Sequence, residues 1–518
     1  MNGAQALIRT LVGAGVDVCF TNPGTSEMHF VAALDSVPEM HGHLALFEGV
    51  ATGAADGYAR VAGKPAATLL HLGPGLGNGL ANLHNARRAA TPVVNIVGDH
   101  ATFHQRFDAP LQSDIAAIAS AVSGWSRSST SPEQVAADGA EAVAASYGPP
   151  GQVATLILPA DVCWLESNGP EAPLPVPSRR TVTDDAVAQA AKALQSGEPA
   201  AVMVGGSVVA DEAGLVAASR VAARAGAKLL SETFPARLRR GAGLPAVERL
   251  GYLAEFAEMQ LAGLKHLVLV DTVSPVSFFA YPDKASDLVP EGCQVHVLAS
   301  GGDDAVGALE ELADRLGAPA DSAVPATAGR PERPTGELNA ESLAGALGAL
   351  LPDGAIVADE GNTSGLFCAG ATAGTPPHDW LTLTGGAIGY GMPVATGAAV
   401  AAPERPVINL QADGSALYTM QALWTQARHG LDVTTVICNN RSYAILNLEL
   451  SRVGAENGPA ALSMLDLSHP DLDFVQLSQG FGVPATRATT AEELTAQLEQ
   501  AIAEPGPHVI DALLPTTL

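Results

Sequence analysis

Apolar and polar positions alternate along this chain in blocks. Short runs rich in β-branched residues stand between Ala-rich segments whose apolar positions recur at helical spacing. The runs are AATLLHL, PVVNIVG and VATLIL in the first third, then PAAVMVG, KLL and HLVLVD, then AIVAD, PVINLQ, VTTVIC and HVIDALL. Continuous apolar runs separated by helices predict parallel strands covered by helices on both faces. The opening stretch MNGAQALIRTLVGAGVDVCF reads as an amphipathic helix running into a strand. Two stretches break the pattern, residues 167–185 (SNGPEAPLPVPSRRTVTDD) and 317–337 (GAPADSAVPATAGRPERPTGE). Their Pro-rich, polar composition reads as linker. The prediction is three doubly wound α/β domains with mainly parallel sheets, over residues 1–170, 186–317 and 338–518. In such sheets ligands bind beyond the carboxyl ends of the strands, so functional residues are sought where strands stop.

Composition narrows the choice of partners. Of 518 residues 47% are hydrophobic and 16% charged, enough to fill several cores and unlike a disordered chain. The formal charge of −27 argues against nucleic acid or an anionic membrane as partner. No run approaches the roughly 18 to 20 apolar residues of a membrane helix, and the start lacks the marks of a signal peptide. The five cysteines are scattered, as expected of buried free thiols in a reducing compartment. A soluble, cytoplasmic globular protein is expected.

The densest chemistry lies in residues 411–443. The run VINL leads into Asp413-Gly414-Ser415, and VTTVIC leads into Asn439-Asn440. Between them SALYTMQALWTQARHG has apolar residues at helical spacing and Gly430 at its end, so it reads as one crossover helix. A right-handed strand–helix–strand unit brings the two strand ends together. A carboxylate, a side-chain amide and a helix N-terminus suit Mg²⁺ carrying a diphosphate. Mg²⁺ takes about six oxygens and shares its shell with phosphate and water, and the helix dipole favours the phosphate charge. Either turn alone is ordinary punctuation; the pair at two strand ends is not.

These residues resemble the thiamin-diphosphate fingerprint of the acetolactate synthase, benzoylformate decarboxylase and pyruvate oxidase family. The resemblance covers the whole chain, as pyrimidine-binding, central and diphosphate-binding domains in that order. It implies thiamin diphosphate as cofactor, with Asp413, Asn440 and the carbonyl of Ser442 as Mg²⁺ ligands and Gly414, Ser415 and Tyr443 beside it. Where the family usually has Gly before the Asp, this chain has Ala412.

ALFEGVATGAADGYAR, residues 45–60, matches the family's E-x-x-x-x-x-A-x-D-G-Y-A-R. The match implies that Glu48 is the catalytic carboxyl bonded to N1′ of the cofactor's pyrimidine. NPGTSEMHF places Thr25, and LLHLGPGLGNG places His71, where the decarboxylase has an active-site Ser and His. A capping histidine is the plainer account of His71. DEGNTS puts Asn362 and Thr363 toward the diphosphate. TGGAIGYGMP puts Gly386 where its carbonyl accepts from N4′, and Ile388 where an aliphatic side chain bends the cofactor. Ile445 and Leu446 would border the substrate, with Glu449 one turn further on. The decarboxylase's second catalytic His falls near Phe278, Phe279 and Ala280, so it is missing, and no pattern for FAD is found. Gln112 in APLQSDI resembles the synthase instead.

The resemblance implies decarboxylation of a 2-oxo acid, with aldehyde release or carboligation to an aldehyde or ketone acceptor. The alternatives are an acetolactate synthase large-subunit-like activity and a non-catalytic cofactor-binding homologue, against which intact Glu48, Asp413 and Asn440 speak. It also implies a homodimer or homotetramer with the site between subunits.

Overall fold

Every one of those apolar runs forms a strand in the computed structural model, which describes residues 1–516. The first sheet holds β1 (Val18–Asn22), β2 (His41–Leu44), β3 (Ala66–Leu70), β4 (Val93–Asp99), β5 (Trp125–Ser128) and β6 (Val153–Pro159). All are parallel, in the order β2-β1-β3-β4-β6-β5. β3, β4 and β6 are buried along their whole length, which is why they read as mainly apolar runs; their buried Thr68, Asn95 and Thr155 hydrogen-bond in sequence across the strands.

The chain then forms β7 (Ala200–Val204), β8 (Lys228–Ser231), β9 (Leu238–Arg240), β10 (Glu248–Arg249), β11 (His266–Val270) and β12 (Gln294–Ala299). Five of these make a parallel sheet ordered β10-β8-β7-β11-β12, and β9 leaves it. The last third adds β13 (Ile356–Glu360), β14 (His378–Thr382), β15 (Val407–Ala412), β16 (Val433–Asn439), β17 (Ala485–Ala488) and β18 (His508–Leu513). Their order is β17-β18-β16-β15-β13-β14-β9, with β9 antiparallel on β14 and the rest parallel. The third sheet therefore takes its edge strand from the middle of the chain.

Each sheet reverses its strand order once near its middle, and that point opens a crevice at the strand carboxyl ends. In the first sheet the reversal falls between β1 and β3, in the second between β7 and β11, in the third between β13 and β15.

The first and third sheets are locked together by two helices, Glu48–Ala62 and Gly391–Ala401. They cross at contact distance because small residues line both. A Cβ on Gly57 would stand 2.2 Å from the Val394 carbonyl oxygen, and one on Gly397 would stand 1.8 Å from that of Ala54. At the same junction Arg60 is buried and paired with Asp56 at 2.7 Å. Its guanidinium also donates to the Thr382 carbonyl, the Tyr390 hydroxyl and Thr384 Oγ1. Removing one partner of such a buried pair typically costs about 3–5 kcal/mol, because the other charge is left uncompensated. Much of the D-G-Y-A-R motif thus serves this junction.

The single crossover helix expected after Asp413 is two helices, Asp413–Thr419 and Ala422–His429. The break at Met420 and Gln421 carries neither Gly nor Pro. Gly430 does end the second helix, at φ +59. Among the described residues no helix is long and apolar enough to cross a membrane, and no disulfide joins the cysteines.

Candidate active site

The crevice of the first sheet gathers Thr25 and His71 as expected, and adds a residue the sequence reading passed over. After β1 the chain turns through Pro23 and Gly24 into a short 3-10 turn, Thr25–Glu27. Glu27 is only 1% exposed. Its Oε2 accepts from the Gly24 amide at 2.8 Å and lies 2.8 Å from His71 Nδ1. Its Oε1 is buried without a protein partner. Burial pushes the Glu27 carboxyl upward, partly offset by the neighbouring imidazole. His71 stands at the N-cap position of helix Leu72–Arg88 but makes no side-chain cap bond, so the capping account of it fails. The carboxylate holds the ring by Nδ1 and leaves Nε2 as the nitrogen free to meet a ligand. Thr25, exposed, follows the glycine against which that ring packs.

Glu48 opens its helix directly after Phe47 and is 7% exposed. Asn78 Nδ2 donates to its Oε2 at 3.0 Å. Because Asn78 lies on the helix that His71 begins, one helix supports both groups.

The third sheet's crevice collects the other candidates. Asp413 is 3% exposed; its Oδ1 accepts from the Gly414 amide at 2.7 Å and its Oδ2 from the Arg441 amide at 2.6 Å. The carboxylate therefore reaches across to the loop after β16, as the spacing predicted. Arg441 takes φ +57, which curls that loop back, and Asn440 Oδ1 accepts from the Ser442 amide at 3.0 Å. Burial raises the Asp413 pKa to about 6. A cation held beside it would favour its charged form. The Tyr443 ring packs on Gly414, where a Cβ would come within 2.4 Å of it. The Ser415 hydroxyl is turned inward, donating to the Ala412 carbonyl and accepting from Gln411 Nε2, so only its backbone is free to face a phosphate.

Glu360, the last residue of β13, organises the neighbouring segment. It is 1% exposed and accepts from the amides of Gly389, Tyr390 and Gly391 at 2.7–3.0 Å and from Gln411 Nε2 at 2.9 Å. These bonds fix the loop bearing Gly386 and Ile388 beside the strand end that leads to Asn362 and Thr363. Gly386 sits at φ +72, where only glycine is unstrained, and Asn362 takes φ +48.

Phe278 lies against Gly386. Its ring is 5.8 Å from Phe234, 5.3 Å from Tyr252 and 4.9 Å from Phe279, an aromatic wall beside the crevice. Arg452 closes one end of it, stacked on Tyr281 at 4.1 Å and paired with Glu449 and Glu255 at 3.0 and 2.8 Å. Glu449 is thereby neutralised within the wall. Gln112 lines a cavity of about 470 Å³ with Asp99, Ser113, Ser128 and Ser129, and Ser113 lies against Gly73 of the helix that His71 begins.

Magnesium and diphosphate fit the third-sheet crevice. Among the described residues no cluster of three or more His, Cys, Asp or Glu is present. A cation here would meet one carboxylate and neutral oxygens, leaving phosphate and water to complete the shell. The second sheet's crevice does not fit a flavin dinucleotide. Asp271 Oδ2 accepts from both the amide and the hydroxyl of Ser207, at 2.8 and 2.6 Å. Glu232 reaches the Gly206 amide beside it. Two carboxylates fill the place a pyrophosphate would need.

Burial raises Glu232 from 4.5 to about 7. Below pH 4.5 it is protonated whether the chain is folded or not. Between 4.5 and about 7 the unfolded chain loses this proton first, so folding stability falls as pH rises. Glu232→Gln is therefore expected to abolish this loss and gain about 2 kcal/mol over wild type at pH 8, but little at pH 4. Urea unfolding of both proteins at the two pH values measures it.

Comparison with known proteins agrees with this geometry. Residues 1–120 match the family model "Thiamine pyrophosphate enzyme, N-terminal TPP binding domain", and residues 361–512 match its C-terminal TPP binding domain counterpart. IlvX of Mycobacterium tuberculosis, itself named only provisionally as an acetolactate synthase large subunit, is 61% identical over 100% of this chain and 99% of its own. A benzoylformate decarboxylase of Pseudomonas aeruginosa is 28% identical, over 96% of each. The fold matches that of a thiamine diphosphate-dependent 4-hydroxybenzoylformate decarboxylase from Rhodococcus jostii RHA1, with TM-score 0.87 and 23% identity over the whole of both chains.

Proposed function

Because this chain belongs to the thiamine pyrophosphate enzyme family, we propose that it decarboxylates a 2-oxo acid with an apolar, preferably aromatic, side chain. The product is an aldehyde, or a 2-hydroxy ketone where a second carbonyl compound is captured. The observation that carries this reading is the Glu27-held His71 at the start of the helix whose Asn78 supports Glu48. An oriented imidazole beside a buried acid is what proton delivery to a decarboxylated carbon needs.

In this reading Asp413, Asn440 and the Ser442 carbonyl hold Mg²⁺. The backbones of Gly414 and Ser415, with Asn362 and Thr363, face the diphosphate, and Tyr443 packs beside them. Bound thiamin diphosphate supplies the electron sink that takes up the charge left when CO₂ departs. Glu48 shares a proton with the pyrimidine N1′, and the Gly386 carbonyl accepts from N4′. Ile388 supports the bend between the rings. His71 Nε2 and Thr25 orient the substrate carboxylate and move protons, and the Phe234–Phe278 wall excludes water. We place the site between two chains of a cytoplasmic homodimer or homotetramer, as the family resemblance implies. FAD forms no part of this reading, since Asp271 and Glu232 occupy its crevice.

Acetolactate synthesis from pyruvate is the second reading. Gln112 and its cavity favour it, as does the name of the relative IlvX. Incubation with benzoylformate and with pyruvate, each followed by product identification, separates the two. The expected result is benzaldehyde, with kcat/KM about 10-fold or more above pyruvate, from the added apolar burial. Acetolactate as the main product would install the synthase, and no turnover of either acid would remove the decarboxylase.

A further inference from the structure

Two buried asparagines join the first sheet's helix to the loop that carries Gly386 and Ile388. Asn85 is fully buried, and its side-chain amide pairs with both polar groups of Ala387. Nδ2 donates to the Ala387 carbonyl at 2.8 Å, and Oδ1 accepts from the Ala387 amide at 3.2 Å. The backbone carbonyl of Asn85 in turn accepts from Thr384 Oγ1 at 2.8 Å. Asn82, 2% exposed, accepts from Asn85 Nδ2 at 3.0 Å. The Nδ2 of Asn82 donates to two carbonyls, those of Gly49 at 2.8 Å and Gly389 at 3.1 Å.

The geometry has a consequence for function. Gly49 follows Glu48, and Gly389 follows Ile388. One amide group therefore spans the start of the Glu48 helix and the loop bearing Gly386 and Ile388. That loop bends through positive φ at Gly386 and Gly389, +72 and +91, so its own backbone does not fix its course. Glu360 holds the loop's far end. The asparagines hold its near end and middle. Asp could not donate to the Ala387 carbonyl, and Ala would leave both polar groups of Ala387 without their side-chain partner.

We propose that Asn82 and Asn85 are positioning residues that set the 385–389 loop for the pyrimidine end of the cofactor. The inference rests on the family reading that Gly386 and Ile388 face that ring. It separates the two ends of the ligand, because among the described residues the asparagines' side-chain hydrogen bonds do not include Asp413, Gly414 or Ser415, which would hold the diphosphate end.

The test measures binding of thiamin diphosphate with Mg²⁺, and of inorganic pyrophosphate with Mg²⁺, by tryptophan fluorescence. Asn85→Ala is the first variant, and Asn85→Ser, small enough to admit a water, is the second should alanine unfold the chain. The expected result is thiamin diphosphate affinity lowered about 10-fold or more while pyrophosphate affinity stays within twofold of wild type. Asn82→Ser should show the same split. Equal weakening of both ligands would reduce the asparagines to structural residues and overturn the proposal. Unchanged thiamin diphosphate binding would overturn it as well. Failure of the wild-type protein to bind thiamin diphosphate while it binds pyrophosphate would sink the family-based reading itself, and with it this one.

Discussion

Glu48→Gln is expected to lower turnover by about 10³-fold while the affinity for thiamin diphosphate with Mg²⁺ changes only a few-fold. Glutamine keeps the size of the side chain, and its carbonyl oxygen can still accept from Asn78 as Oε2 does at 3.0 Å. What it loses is the capacity to share a proton with a ring nitrogen. Glu48 is 7% exposed, so water has little room to replace that function. The helix it opens would not unwind, because Gln is a good helix former and most of the helix is packed against Gly391–Ala401. Steady-state turnover and a binding titration on the same variant separate the two effects. Activity within a few-fold of wild type would take the proton-sharing role away from Glu48.

The ease of reading differed by element for physical reasons. β4 and β6 were plain because strands buried on both faces are mainly apolar, and their buried Asn95 and Thr155 bond to each other. β14, sequence HDWLT, is just as buried but hides it, since Asp379 is compensated at long range by Arg237 and Arg405. No local pattern announces such partners. β9 joins a sheet built more than a hundred residues later, and strand pairing at that range leaves no trace in a three-residue run. The break at Met420 is of the same kind: propensity alone gives one helix there, and tertiary packing divides it.

The candidate site was legible where oxygen-bearing residues end strands, as at Asp413 and Asn440. It was less so where a residue acts through another. Glu27 stands in NPGTSEMHF only two positions from Thr25, and its signal was a charged residue in a tight turn beside an apolar helix. Glu360 precedes the Asn362 and Thr363 that drew attention, yet it is the side chain that binds three successive amides. Asn82 and Asn85 read as two polar positions on a helix, and only the fold shows that they face a loop some 300 residues away. The D-G-Y-A-R motif shows the converse. It marked the family correctly, but Asp56 and Arg60 proved to hold the sheets together.

Asp413→Asn is expected to weaken Mg²⁺-dependent binding of thiamin diphosphate by about 100-fold or more, close to 3 kcal/mol. The crevice offers a cation one carboxylate, and the Asn440 and Ser442 oxygens carry no charge. Losing that charge therefore removes most of the protein's pull on the metal. Asparagine has nearly the same shape, and its one carbonyl oxygen still accepts from the Arg441 amide, so the loop after β16 should keep its course while the Gly414 amide loses its acceptor. Without ligand the variant should stay within about 1–2 kcal/mol of wild type, because that lost bond is offset by no longer burying a carboxylate whose pKa burial lifts to about 6. Thermal unfolding with and without Mg²⁺ and thiamin diphosphate reads both effects in one experiment. Ligand raises the midpoint of wild type in proportion to the logarithm of its saturation, and in the variant that rise should nearly vanish at the same concentrations. A variant whose ligand-free midpoint drops by many degrees would make Asp413 a structural residue. One that keeps the full ligand-induced rise would move the metal elsewhere.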